Sequence, residues 1–414
     1  MSTQKKKSPV ALTGATRRSA VSRETPENRR QLIDIAKRGI AHVEAGITPS
    51  QTDEVVEIPV EHYLDQERWE QEVALFRRIP LMLALGGELR GPNSYKAMTV
   101  MDVPVLLTRG TDNEVRAFVN QCSHRSAIVV ADGIGTARRF ACPYHNWTYN
   151  TMGDLVGVTD REYFGDLDVS CMGLTPLPVA ERAGLIFVVI TPGVAMNIDE
   201  HLCGYDKVLD FFGFGDWHLV SQREVAGPNW KIAYDGYLDF YHLPFLHRGS
   251  FGADMHNKAI YTTWGPHQRM THPDPGLLEL RDVPEDEWNL DQICGGVWTI
   301  FPHISIAGGN GGGQVAQLFP GSTPATSRTI LNYYVAAEPS DEQRAQAVDQ
   351  ASFVEGVVRD EDYATGLGIQ RALASGAKRS VLFGRNEGGG QRFHRTLDRY
   401  IARDAAPAQT PSST

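Results

Sequence analysis

The stretch CSHRSAIVVADGIGTARRFACPYHNWTY, residues 122–149, holds a Cys-x-His pair at Cys122 and His124 and, after seventeen intervening residues, a Cys-x-x-His pair at Cys142 and His145. Each pair sits at the junction of a β-type run and a loop, so two opposed fingers offer two thiolates and two imidazoles. That mixed set suits two metals of different character. In a two-iron, two-sulfur cluster the cysteines hold one iron and the histidines the other, which raises the reduction potential above that of an all-thiolate cluster. The competing use of the same ligands is one structural zinc. A Cys-x-His first pair is odd for zinc, and the fingers lie inside a β domain rather than beside a recognition helix, so the cluster is the expectation.

Outward from the fingers, short β-type runs at residues 104–108, 115–119, 140–141, 148–149 and 185–191 alternate with Gly and Asp turns, which predicts a small antiparallel β domain over residues 55–192. Upstream, Leu32, Ile35, Ala36, Ile40 and Val43 recur at helical spacing and Gly46 supplies a stop. Residues 27–54 are therefore expected to form a helical segment packed on the later domain. Past Pro192 the pattern turns mixed, with helical segments at 230–246 and 340–375 and strand-like runs at 297–306 and 329–336, predicting an α+β domain over 193–402. The ends, residues 1–26 and 403–414, are polar and aperiodic and read as disordered. The glycine clusters at 308–313 and 388–390 lack the strand-to-helix context of a nucleotide loop and read as flexible loops.

A second constellation lies in the segment 229–247. His242 and His247 are five apart, about 140° around a regular helix, so an unbroken helix would not aim them at one point. Pro244 between them is expected to kink the helix and bring the rings together. Two imidazoles with one carboxylate make the facial triad that holds a non-haem iron and leaves positions open for dioxygen. The carboxylate candidates are Asp360, Glu361 and Asp362. On a helical wheel through Val354, Val357, Val358 and Thr365, Glu361 falls near the middle of the apolar stripe, Asp362 on its flank and Asp360 outside; periodicity does not choose between the first two.

The bulk numbers set limits. At 414 residues the chain has room for a redox module and a catalytic domain, and its formal charge of −10 argues against nucleic acid as a partner. Cys122, Cys142, Cys171, Cys203 and Cys294 are an odd, sparse set, which suits a reducing compartment better than a disulfide framework. No apolar run is long enough to span a bilayer, and the start around Lys5, Lys6 and Lys7 lacks the apolar core of a secretory signal. A cytoplasmic protein without a membrane partner is expected.

Taken together, the two Cys/His fingers, Asn229-Trp230-Lys231, the Asp239-x-x-His242 and His247 segment, and Glu361-Asp362 ahead of Ile369-Gln370 resemble the catalytic α subunit of Rieske non-haem iron oxygenases over residues 55–402. The late segments Phe383-Gly384-Arg385-Asn386-Glu387 and Phe393-His394-Arg395 look like that family's C-terminal stretch. The resemblance implies an all-β Rieske domain followed by a helix-grip domain, an antiparallel sheet with covering helices. Among the carboxylates it selects Asp362 as the ligand. It implies electrons from NAD(P)H through a separate reductase, with or without a ferredoxin, in keeping with the missing dinucleotide fingerprint. It further implies a homotrimer, with or without a small β subunit, in which the cluster of one subunit lies beside the iron of the next, and Asp239 joins His242 to His145 across that interface.

One departure stands out: many members have Glu-Asn where this chain has Asp235-Gly236, so a role for that asparagine does not carry over. The expected activity is a terminal oxygenase that takes dioxygen and an organic small molecule and hydroxylates an aromatic ring, giving a cis-dihydrodiol or a hydroxylated product. The alternatives are a monooxygenase or demethylase acting on a methoxy aromatic or a quaternary ammonium compound, and a non-catalytic electron-transfer or zinc protein. Phe240, Leu243, Phe245, Phe301 and His303 are the expected pocket walls.

Overall fold

The structure, a computed structural model, describes residues 23–405. The expectation of disorder for the two ends falls largely outside that range; within it, Pro26 already opens a helix and residues 403–405 continue the last one. The first helix, Pro26–Glu44, is started by a reciprocal cap, the Thr25 hydroxyl accepting from the Asn28 backbone N–H and the Asn28 side chain accepting from that of Thr25. Its apolar stripe (Leu32, Ile35, Ala36) is buried in one core with Tyr205, Val208 and Trp298.

The first half holds three small antiparallel sheets, two of which carry the fingers. One runs in the order Pro176–Leu177, Val115–Val119, Val103–Arg109, Ser94–Val100, Gly133–Thr136; a second joins Arg139–Ala141, Thr148–Asn150 and Leu155–Gly157; the third joins Val179–Arg182, Leu185–Val188 and Leu81–Leu85. Ser94–Val100 and Val103–Arg109 are joined by Met101 and Asp102, both at positive φ (48° and 65°), the conformation that lets a two-residue hairpin turn follow the strand twist. The strand Val56–Pro59, at the expected start of this β domain, pairs with Ser380–Phe383, near the other end of the chain. Strand pairing that distant leaves no local signal to read.

The second half is α+β. His218–Gly227 pairs with Ser327–Val335, and the sheet continues through Gly312–Pro320, Ile304–Gly309, Gly296–Ile300, His267–Thr271 and Ile260–Trp264, antiparallel throughout. The glycines at 308–313 are not a flexible loop but paired strand ends, where a Cβ on Gly313 would strike the Ala307 carbonyl oxygen. Gly388–Gly390 likewise begin the helix Gly388–Ala405, with Gly389 against the Leu238 carbonyl. Helices Trp230–Asp235, Asp341–Val357, Ala364–Ala374 and Gly388–Ala405 accompany this sheet, and Trp230, Tyr234, Leu238, Val358, Tyr363 and Phe393 share one core with Ala316, Leu318 and Ile330. Among the described residues no helix is long and apolar enough to cross a membrane.

The segment 230–246 is not one kinked helix. The helix Trp230–Asp235, capped by Asn229, stops at Gly236, and a fresh turn, Leu243–Leu246, begins only after His242. Pro244 stands in the first turn of that second piece, where its missing N–H costs nothing. The break thus lies ahead of both histidines, which stand at the two ends of the second piece, His242 as its N-cap and His247 as its C-cap.

Candidate functional site

The two fingers fold alike. Cys122 N–H donates to the Ala127 carbonyl and Ser126 N–H to the Cys122 carbonyl; Cys142 N–H donates to the Trp147 carbonyl and Asn146 N–H to the Cys142 carbonyl. Ser126 (φ 63°) and Asn146 (φ 59°) close the two loops in the left-handed region. Cys122 and Cys142 are buried and free of disulfides, while His124 and His145 face each other with ring centroids 4.5 Å apart. His124 stacks on Trp147 at 4.8 Å, and the Tyr149 hydroxyl donates to Cys122 Sγ at 3.3 Å. Burial, with the neighbouring thiol, pushes Tyr149 up to about 12, which keeps that hydroxyl a donor. His124 Nδ1 is shut off from solvent without a hydrogen-bond partner. An orphaned imidazole nitrogen beside two buried thiols is the donor set a Rieske cluster takes, and burial followed by His145 and Arg125 lowers His124 toward the neutral form that ligates metal. A shallow hollow of roughly 730 Å³ opens over this end, lined by His145, Tyr144, Trp147, Tyr163 and Phe164 among others.

The second centre is built on the broken helix. Asp239 accepts from the His242 N–H (3.1 Å) and holds His242 Nδ1 at 3.0 Å. Glu361 Oε2 holds His247 Nδ1 at 2.7 Å and accepts from the Ser250 hydroxyl at 3.0 Å. With both Nδ1 atoms engaged, both Nε2 atoms face Asp362 Oδ1, at 3.7 Å from His242 and 3.3 Å from His247. The three ligand atoms lie within 4.8 Å of one another, the arrangement a single iron needs. Burial draws the His247 proton affinity down, but Asp362 and Glu361 outweigh it and hold the ring above its ordinary value.

Glu361 and Asp362 stand in a π-helical turn, Val358–Tyr363, between two α-helices. The wider turn sets adjacent carboxylates on one face, where they reach opposite nitrogens of His247. That is why a regular helical wheel left the two unresolved. Asp360 points outward and pairs with Arg359. Asp235 turns away from the histidines to accept from the Tyr63 hydroxyl (2.9 Å), and lies 3.1 Å from His394 Nε2.

Of the expected pocket walls, Phe240 and Leu243 form a small core with Ala259 and Met270, against which Phe251, Met255, Tyr261 and Val297 pack. Phe251 also stacks on His247 at 4.8 Å. Phe301 and His303 are corrected to core residues: Phe301 packs on Phe393 and Tyr400, and His303 between Phe76 and Phe319. Phe245 is exposed. The role of Glu361 in orienting His247 and the position of Phe251 were not anticipated; the adjacent acid pair was the one local signal for the first.

The Rieske 2Fe-2S domain family matches residues 80–167, and the ring hydroxylating alpha subunit (catalytic domain) family matches residues 214–403. The carnitine monooxygenase oxygenase subunit of Escherichia coli (strain K12) is 26% identical over 328 residues, covering 77% of this chain and 84% of that protein. The terephthalate 1,2-dioxygenase terminal oxygenase component subunit alpha 2 of Comamonas sp is 26% identical over 369 residues, covering 77% and 86%. In fold, the crystal structure of a quaternary ammonium Rieske monooxygenase in complex with L-carnitine superposes with a TM-score of 0.69 at 23% identity, covering 89% of this chain and 98% of that one. With cluster fingers in one domain and a two-histidine, one-carboxylate iron site in the other, the chain belongs to the Rieske non-haem iron oxygenases as a catalytic α subunit.

Proposed function

We propose that this terminal oxygenase hydroxylates an aromatic ring held against Phe240, Leu243 and Phe251. The observation that carries the reading is the apolar, aromatic shell beside the iron ligands, together with the commitment of each nearby carboxylate, Asp239, Glu361 and Asp362, to a histidine. No acid of that group is free to balance a cationic substrate, whereas a ring gains both burial and stacking there. His242, His247 and Asp362 would hold an iron that supplies dioxygen activation, and Cys122, His124, Cys142 and His145 would hold a cluster that supplies electrons from a reductase partner. The chain's own part is to fix both imidazoles through Asp239 and Glu361 and to exclude water around the ring. Relatives that act on aromatic acids, the terephthalate and anthranilate dioxygenases, support this reading.

A second reading, oxidation of a quaternary ammonium compound, is favoured by the carnitine monooxygenase relatives. Product analysis under ¹⁸O-labelled dioxygen separates the two: both labelled atoms on a ring diol, or one on a phenol, support the first, and an N-dealkylated product sinks it.

The subunit arrangement belongs to the same proposal. Exposed Tyr144 and Tyr163 stand at the cluster end and exposed Tyr241 and Phe245 at the iron end. We take these as the two sides of a head-to-tail homotrimer in which Asp239 links His242 to His145 of the next subunit. The redox domain then comprises the three small sheets, and the strand Val56–Pro59 goes with the catalytic domain.

A further inference from the structure

The tips of the two cluster fingers touch. Arg125, which follows His124 in the first finger, lays its guanidinium over the ring of Tyr144 in the second, with Cζ 5.2 Å from the ring centroid. Tyr144 packs in turn on the next residue, His145, with centroids 3.7 Å apart and planes at 32°. The two cluster histidines are therefore clothed differently. His124 lies against neutral rings, stacked on Trp147 at 4.8 Å and edge-on to Phe164 at 5.6 Å. His145 has a tyrosine against it and, on that tyrosine, a positive charge.

No acid neutralises that charge. Arg109 and Arg116 of the same domain each face a carboxylate, Glu181 at 3.1 Å and Asp112 at 2.7 Å. Among the described residues Arg125 has neither an ion-pair nor a hydrogen-bond partner, and the one acid lining the hollow over the histidines, Asp160, is exposed and forms no pair with it. A surface arginine without a partner is ordinary; what sets Arg125 apart is that its contact is with the ring lying on a cluster ligand. A guanidinium attracted to an aromatic face stays in place, where a free side chain would wander through solvent.

One-electron reduction adds a negative charge to a cluster held by Cys122, His124, Cys142 and His145. A fixed cation beside it favours the reduced form, and charge around a cluster is one of the quantities that set its potential. A unit charge on the order of 10 Å from a redox centre shifts the equilibrium about two- to fifteen-fold for effective dielectric constants between about 80 and about 20.

We propose that Arg125, fixed by Tyr144, raises the reduction potential of the cluster and so favours its uptake of electrons from the partner protein. Arg125 acts on the cluster alone, whichever substrate the iron site takes.

Spectroelectrochemical titration of the purified holoenzyme at one fixed pH, following the visible absorption of the cluster, tests this. Arg125→Gln is expected to shift the equilibrium about two- to fifteen-fold toward the oxidised form, a tenfold change being about 59 mV for one electron, with iron content and the oxidised spectrum unchanged. Arg125→Lys keeps the charge and is expected to restore most of the potential. If Arg125→Gln does not assemble its cluster, Tyr144→Leu, which removes the ring that fixes the guanidinium, is expected to lower the potential by a smaller factor, and an unaltered potential there overturns the proposal. So does a wild-type potential in Arg125→Gln, which would mean that the charge does not reach the cluster, even if reduction by the partner slows and Arg125 proves to be a docking residue. An equal fall in Arg125→Lys and Arg125→Gln would trace the effect to packing rather than charge, and overturns it as well.

Discussion

Glu361 holds Nδ1 of His247 at 2.7 Å, on the side of the ring opposite the nitrogen that faces Asp362. Orienting partners of this kind typically govern metal affinity by about 10–100-fold. Glu361→Ala is therefore expected to weaken iron retention by that order while leaving Asp362 in place, and Glu361→Gln to weaken it less. Iron content after dialysis against a graded chelator series checks this; retention equal to the wild type in the Ala variant contradicts it.

Asp239 holds the other ring, His242, and sits in the broken stretch between the two short helices. Asp239→Asn is expected to keep both metal centres and the oligomer but lose most turnover. Rapid mixing of the reduced enzyme with dioxygen and substrate reads the rate of cluster oxidation. A wild-type rate in the variant would show that Asp239 is not the bridge.

Behind the iron-binding segment, Glu72 and Lys231 form an ion pair that is almost wholly buried, and Glu72 also accepts from Trp230 Nε1 at 2.8 Å and from Arg68 at 3.0 Å. Lys231→Met leaves Glu72 with one cation instead of two. Breaking a buried pair from one side costs about 3–5 kcal/mol, and the surviving Arg68 contact places this variant near the lower end. Denaturant titration is expected to show that loss, with Glu72→Gln combined with Lys231→Met losing less than the sum of the single variants.

Acid sensitivity follows from two buried histidines. Burial pushes His267 down to about 4 and His303 to about 3, so each is neutral when folded and takes up a proton on unfolding. The unfolded chain then binds more protons below pH 6.5, and stability, full above that value, falls as pH drops toward 4. Each such group contributes a slope of up to about 1.4 kcal/mol per pH unit. His303→Phe is expected to flatten the pH dependence between 6.5 and 4.5; parallel curves for wild type and variant contradict this.

What the sequence disclosed follows how local each feature is. Cys122, His124, Cys142 and His145 were legible because each pair is closed by hydrogen bonds within its own loop, so spacing alone encodes the geometry. His242 and His247 were legible as a pair, but the device joining them was misread, since the helix breaks at Gly236 and not at Pro244. Glu361 and Asp362 were left unresolved because the wheel assumes a regular α-helix where the chain makes a π turn. Phe301 and His303, read as part of one strand run over 297–306, stand instead in the turn between Gly296–Ile300 and Ile304–Gly309, where Phe393, Tyr400, Phe76 and Phe319 pack on them. The pairing of Val56–Pro59 with Ser380–Phe383 and the capture of Asp235 by Tyr63 and His394 are contacts between distant segments, beyond any local pattern.

The account rests on two separate metal centres in one chain, and metal analysis of Asp362→Ala tests this most directly. The wild type is expected to contain one iron per chain beyond the cluster's two, and the variant to lose that iron while the visible absorption of the cluster persists and turnover ceases. An Asp362→Ala protein that keeps its full iron complement, or that loses the cluster spectrum together with the iron, would contradict the assignment of His242, His247 and Asp362 as an independent iron site.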